Sequence, residues 1–307
     1  MKGNLLQSMS LNFSGVFPAI TTPFLTDGAV DYAFLKTHIE WMLESGCHGI
    51  IPLGSLGEGG TLTSSEKRGV LEACLEACGD RAPVVPGIAG LSTQEAIQLA
   101  KDAESMGCRG LMVLPPYAYS TDWREMKAHV SAVIEATKLS CILYNNPVAY
   151  KTDFLPDQIQ DLAREYNNLI AVKESSTDVR RVTWIRSILG DRLTIMVGVD
   201  DAIVEGIRAG ASGWVAGLVN AFPKESVALW RLALERNEDA VDRLYSWFLP
   251  LLRLDTVPKF VQLIKLTQER VGMGSERVRP PRLVLLGHER EEALSMIEDA
   301  IRERPQL

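Results

Sequence analysis

The feature that most constrains this chain is an alternation. Eight times over, a short apolar run with the length and branching of a buried strand precedes a longer run with apolar residues at helical spacing. The pairs are 15–21 with the helix opened by Asp31, 49–53 with 65–78, 83–87 with 92–106, and 110–114 with 122–137. They continue as 141–144 with 156–165, 169–173 with 178–189, 193–197 with 200–209, and 213–216 with 223–235. Strands that are apolar throughout are covered on both faces, so the sheet is parallel with helices outside it. Eight units favour closure over an open sheet, and the expected fold is α/β, a (β/α)8 TIM barrel over residues 1–236. Glycines before several strands, at Gly46, Gly107 and Gly210, suit helices that end in a left-handed residue. Residues 237–307 carry no strand pattern. Helix-like runs at 239–254, 257–271 and 289–302, punctuated by Pro258, Gly272-Met-Gly274 and Pro280-Pro281, read as a C-terminal helical appendage docked on the barrel.

Composition narrows the function. A net charge of −7, with no large Lys/Arg cluster, speaks against a nucleic-acid surface, although a local site can still hold an anion. The five cysteines lack a CxxC pair and the four histidines lack HxH or HExxH spacing, so buried thiols and no metal are expected. Cys74 and Cys78 lie one helical turn apart, where packing is the stronger reading. No apolar run reaches the ~20 residues of a membrane span and the first residues lack the order of a signal peptide, so a cytoplasmic location is expected.

In such a barrel the chemistry collects at the C-terminal ends of the strands. The sixth run delivers Lys173 there, above Leu169-Ile-Ala-Val172 and below Ser175 and Ser176. Partial desolvation favours the neutral amine, a nucleophile for the carbonyl of a 2-oxo acid or aldehyde. The plainer reading is a lysine that pairs with Glu174 or Asp178. Glu174 itself either orients the lysine or caps the next helix. The second run delivers Gly54-Ser-Leu-Gly-Glu-Gly-Gly60, whose backbone N–H groups and Ser55 hydroxyl suit a carboxylate, or whose glycines merely turn the chain. The fourth delivers Pro115-Pro-Tyr-Ala-Tyr119 and the fifth Tyr144-Asn-Asn-Pro147. Tyr144 beside Lys173 would shuttle protons, with Ser55 and Tyr117 as a hydroxyl relay; alone it would be a packing aromatic.

Taken together, Gly15 to Phe24, the Gly54-Ser-Leu-Gly-Glu58 loop, Tyr144-Asn-Asn-Pro147, Val172-Lys-Glu-Ser175, Gly198-Val-Asp-Asp201 and Gly210-Ala-Ser-Gly213 resemble the dihydrodipicolinate synthase / N-acetylneuraminate lyase family. The resemblance implies a class I lyase, usually a homotetramer, with no cofactor beyond a Schiff base from Lys173 to a small 2-oxo or 2-imino acid. It implies Tyr144 as proton shuttle and Ser55 touching both Tyr144 and the substrate carboxylate. A second tyrosine, for which Tyr117 is the candidate, enters from a neighbouring subunit in some members. Substrate contacts are expected from Leu56, Gly57, Asn146 and Val215.

Two departures bear on the substrate. Leu56 stands where a second hydroxyl often follows Ser55. Ala149 stands where the synthase branch typically has an arginine for a substrate carboxylate. The Tyr144–Tyr150 segment looks more like the branch that deaminates 1-pyrroline-4-hydroxy-2-carboxylate to 2-oxoglutarate semialdehyde and ammonia. The alternatives are a 2-keto-3-deoxy sugar acid dehydratase or aldolase, a neuraminate lyase, a dihydrodipicolinate synthase, or a barrel that binds keto acids as a sensor without turnover. Trp230, Tyr245, Trp247 and Phe248 suit either a subunit interface or the seat of the appendage.

Overall fold

The computed structural model describes residues 11–116 and 122–307. Its strands are β1 (Gly15–Pro18), β2 (Gly87–Ile88), β3 (Gly110–Val113), β4 (Ser140–Asn145), β5 (Leu169–Glu174), β6 (Thr194–Val197) and β7 (Gly213–Ala216). Around them run α1 (Tyr32–Glu44), α2 (Ser64–Cys78), α3 (Thr93–Met106), α4 (Trp123–Glu135), α5 (Pro147–Tyr150), α6 (Pro156–Glu165), α7 (Arg180–Leu189), α8 (Ile203–Arg208) and α9 (Pro223–Leu234). The C-terminal region adds α10 (Glu238–Leu252), α11 (Phe260–Arg270) and α12 (Gly287–Arg302).

The sheet order is β1-β7-β6-β5-β4-β3-β2, and every pair is parallel. The expected strand at 49–53 is present only as single bridges, Ala19 with Ile51 and Ile50 with Val84, and the chemistry of the segment explains why. Pro52 has no N–H to give, and Leu53 leaves the extended region at φ 65°. Pro83 and Pro86 shorten β2 in the same way. The bridges still close the ring. Ile51 N–H donates to Pro18 O at 2.8 Å, Val85 N–H to Ile50 O at 2.9 Å, and Gly87 N–H to Pro52 O at 2.8 Å. The molecule is therefore a (β/α)8 barrel with a C-terminal helical region.

Local signals set the helix starts. Asp31 accepts from Phe34 N–H at 3.0 Å, Asp122 from Glu125 N–H at 3.0 Å, and Thr63–Glu66 and Ser92–Glu95 form capping boxes. Gly107 ends α3 at a left-handed φ of 99°. The five cysteines are all buried thiols; burial pushes Cys78 and Cys108 up to about 12. Among the described residues there is no group of three or more His, Cys, Asp or Glu side chains that could hold a metal, and no helix is long and apolar enough to cross a membrane.

One element was not legible in the sequence. Between β4 and α6 the chain makes the extra turn α5, opened by Asn146, whose Oδ1 accepts from Ala149 N–H at 3.0 Å, and by Pro147 at its first position. Lys151 ends it in the left-handed region at φ 60°.

The C-terminal region is tied to the barrel by its aromatics and by one buried ion pair. Trp247 stacks on Phe248 at 5.1 Å, meets Phe222 edge-on at 5.7 Å and donates Nε1–H to Ala300 O. Tyr245 donates to Glu205 Oε2, whereas Trp230, on α9, stays within the barrel and donates to Ser212 O. Lys265 on α11 reaches Glu58, a left-handed residue of the glycine-rich loop, at 2.6 Å, and also donates to Thr22 O and Arg277 O. Both side chains are almost fully buried, and burial lowers the Lys265 pKa to about 8 against the pull of Glu58. Glu58 also accepts from Arg279 N–H, with Arg282 3.8 Å away. Lys265→Met would leave the Glu58 carboxylate buried without its main partner. It should cost about 3 kcal/mol, read as a lower urea midpoint, and Glu58→Gln added to it should recover part of the loss. A wild-type midpoint in the single variant would show that the pair does not hold the loop.

Candidate active site

Lys173 is the penultimate residue of β5, in register with Tyr144 on β4 and Met196 on β6. It is buried, and its Nζ lies 4.1 Å from the centre of the Tyr144 ring. Space for its stem comes from Gly198: a Cβ there would stand 2.6 Å from Lys173 Cε and 2.0 Å from Ser175 Oγ. Removal from water disfavours the ammonium and lowers the Lys173 pKa to about 8, while the Asp255 and then the Asp200 carboxylate pull it back up.

The lysine does not pair with either expected neighbour. Successive strand residues face opposite ways, and Glu174 turns to Asn145 Nδ2 at 3.1 Å and Ser176 N–H at 2.7 Å. It thus fastens the loop after β5 and does not cap α7, whose first residue is Arg180. Asp178 is taken by Arg180 at 2.7 Å.

The charges that do face Lys173 come from farther along the chain. Asp200 is fully buried and accepts from Trp214 Nε1 at 2.9 Å, Gly217 N at 3.1 Å and Leu218 N at 2.7 Å; burial nevertheless raises its pKa. Asp255 ends a 3-10 turn after α10, so the C-terminal region supplies a carboxylate to the barrel mouth. Burial first, and then Asp200, push its pKa well above the usual range. It fits only because position 217 is glycine, where a Cβ would lie 2.0 Å from Asp255 Oδ1. Asp200 stood in a motif noted in the sequence. Asp255 had no signal there, since a carboxylate in a helical run looks solvated until the run is folded over the barrel.

Tyr144 is buried, and its hydroxyl accepts from Asn146 Nδ2 at 3.0 Å. Burial raises its pKa, Asn146 holds it down, Asp255 raises it, and the Ser175 and Ser55 hydroxyls lower it. Ser55 Oγ hydrogen-bonds the Tyr150 hydroxyl, and the Tyr150 ring meets the Tyr144 ring edge-on at 5.7 Å. Tyr150 was not among the expected site residues; its signal was a tyrosine three residues after an Asn-Pro turn. Tyr117 lies outside the described residues.

In the loop, Leu56 is buried and Gly57 O accepts from Thr22 Oγ1 at 2.6 Å. The N–H groups of Ser55, Leu56 and Gly57 donate to no acceptor among the described residues. Val215 sits in β7 two residues beyond Gly213, the partner of Met196, and so on the same face as Lys173. The structure thus brings together Lys173, Tyr144, Ser55 and Asn146, with Asp200, Asp255 and Tyr150 added.

A barrel with a desolvated lysine at a strand end and a phenol against it defines a class, the lysine Schiff-base lyases. Comparison with known proteins gives the family: the model of the dihydrodipicolinate synthetase family matches residues 12–300, and the chain belongs to that family. It is 31% identical to the 4-hydroxy-tetrahydrodipicolinate synthase of Methanococcus maripaludis over 87% of this chain and 91% of the relative. With the synthase of Rhizobium meliloti it shares 31% identity over 89% of this chain and 93% of the relative. The Acinetobacter baumannii dihydrodipicolinate synthase structure, complexed with pyruvate, superposes with a TM-score of 0.88 at 28% identity, covering 94% of this chain and 99% of that one. The protein is accordingly a class I lyase of the Schiff-base type.

The neutral amine is the reactive form, and the Lys173 pKa is lowered to about 8. Trapping of pyruvate by cyanoborohydride should therefore rise with pH through a midpoint near that value and then level off. Asp255→Asn removes a charge that holds the pKa up, so the midpoint should move to lower pH. An unmoved or higher midpoint would remove Asp255 from the electrostatics of the amine.

Proposed function

We propose that this chain deaminates 1-pyrroline-4-hydroxy-2-carboxylate to 2-oxoglutarate semialdehyde and ammonia through a Schiff base on Lys173, with Tyr144 as proton shuttle. The observation that carries the reading is the charge around the amine. Two carboxylates, Asp255 and Asp200, act on Lys173, and among the described residues no cation does. Ala149 occupies the position of the synthase-branch arginine, on an exposed turn. A site of this charge suits a substrate with one carboxylate and a basic ring nitrogen better than one with two carboxylates.

The substrate carboxylate would sit against the N–H groups of Ser55, Leu56 and Gly57, with Val215 in the wall and Asn146 holding the Tyr144 hydroxyl. Lys173 Nζ adds to C2, and the C2–N bond breaks to leave an amine on C5 and an iminium between Lys173 and C2. Loss of a C3 proton gives the enamine, which expels the C4 hydroxyl as water once a proton is delivered to it. Proton shifts along C3 to C5 then turn C5 into an imine. One water releases ammonia from C5, and a second frees Lys173 and leaves the C2 carbonyl. One water lost and two consumed make the net reaction one water in and one ammonia out. The iminium is the electron sink, so no metal or organic cofactor is needed in this scheme. Family membership supports a homotetramer, and the reading takes residues 1–236 as the catalytic barrel, 237–307 as the helical unit and the cytoplasm as the location.

A second reading, synthase activity, is favoured by the names of the relatives. One assay separates the two. Incubation with 1-pyrroline-4-hydroxy-2-carboxylate should release ammonia and the semialdehyde, both lost in Lys173→Ala, and Tyr144→Phe should slow turnover by about 10²–10⁴-fold. Formation of 4-hydroxy-tetrahydrodipicolinate by the protein, with no ammonia from the pyrroline, would replace the deaminase reading with the synthase one.

A further inference from the structure

We infer that Tyr150 is a positioning residue that completes the proton relay of Tyr144 from within the same chain, through Ser55. The inference rests on the Schiff-base chemistry proposed for Lys173 and Tyr144 but not on the identity of the substrate.

The problem that a relay solves is visible in the burial. Tyr144 is enclosed, and its phenol is pushed toward the neutral form, so each proton that it takes up or gives has to travel. A serine hydroxyl both donates and accepts, and Ser55 Oγ is bonded to the Tyr150 hydroxyl while lying beside that of Tyr144. Tyr144 is enclosed and Tyr150 only half-buried, so the three hydroxyls join the enclosed phenol to a residue that reaches the surface. When Tyr144 gives its proton to the substrate, Ser55 passes one to Tyr144 and takes one from Tyr150, and water restores the last. No bond between heavy atoms changes.

The geometry has a local cause. Asn146 opens α5 with its Oδ1 and uses its Nδ2 to hold the Tyr144 hydroxyl at 3.0 Å. Tyr150 closes the same four-residue turn and sets its ring perpendicular to that of Tyr144, at 88°. A single turn therefore delivers both the donor that fixes the first phenol and the second phenol. A chain without α5 would have to bring the second hydroxyl from elsewhere, as the Tyr117 reading supposed.

The test uses pyruvate, so it stands whether or not the pyrroline is the substrate. Deuterium wash-in at the pyruvate methyl, followed by NMR in D2O, reports formation and reprotonation of the enamine on Lys173. In Tyr150→Phe, which keeps the ring, a borohydride-trapped adduct should still form as a check on folding, while wash-in slows by about tenfold or more. The rate should recover as imidazole buffer is added, because a small base replaces the lost hydroxyl. A merely structural role would give no such rescue. Wash-in at the wild-type rate, or a slowed rate indifferent to buffer, would overturn the assignment. So would a Tyr117→Phe variant slowed while Tyr150→Phe is normal. A negative pyrroline assay with a positive wash-in result would change the substrate and leave the relay standing.

Discussion

Everything at the mouth of this barrel depends on burying an amine. A cation is costly to remove from water, and Lys173 is enclosed by its own strand, by the Tyr144 ring and by the cleft that Gly198 leaves open. The protein could have relieved that cost by an ion pair at hydrogen-bond distance, which would have fixed the ammonium. It places Asp200 and Asp255 near enough to act on the amine without such a contact, and Asp200 is itself engaged by Trp214 and two backbone N–H groups. Desolvation outweighs attraction, and the pKa falls. An amine in that balance is available as a nucleophile, yet its charge returns when an anion approaches.

The same balance makes the C-terminal helices part of the site. Asp255 enters from the turn between α10 and α11, and a few residues on Lys265 clamps Glu58 in the loop that presents Ser55. Breaking a buried pair by removing one partner exposes the full desolvation penalty of the other, so this clamp has little tolerance for partial opening. Loop position and mouth charge are therefore set by one region. A substitution that shifts α11 would be felt at both.

The barrel was legible because its signal repeats: eight alternations leave few topologies, and seven of the expected strands form ladders where apolar runs stood. Lys173 and Tyr144 were legible for a related reason, since a strand end fixes where a side chain goes and neighbouring strands bring 144 and 173 into register. The eighth strand faded because prolines at 52, 83 and 86 withhold the donors that a ladder needs. Asp255 was not legible at all, and Tyr150 only as a tyrosine three residues after an Asn-Pro turn. Each sits on a short turn whose place depends on long-range packing, and neither residue type, met alone, separates a site from a solvated surface.

Charge near a reactive group acts on what can enter as well as on what the group does. In the proposed reading the N–H groups of Ser55, Leu56 and Gly57, which meet no acceptor among the described residues, form one small anion-binding cradle, and the charges that act on Lys173 are the carboxylates of Asp255 and Asp200. A ligand with a single carboxylate can place it in the cradle and turn its basic or hydroxylated end toward Asp255. A ligand with a second carboxylate at that end would meet like charge in a partly desolvated space, where repulsion is screened less than at the surface. In the proposed reaction the nitrogen leaves C2 as an amine and departs from C5 as ammonia, so positive charge develops at the end of the substrate that the acidic mouth favours. The mouth would then stabilise the departing nitrogen more than the bound ring, and stabilisation that grows along the reaction lowers its barrier instead of merely tightening binding.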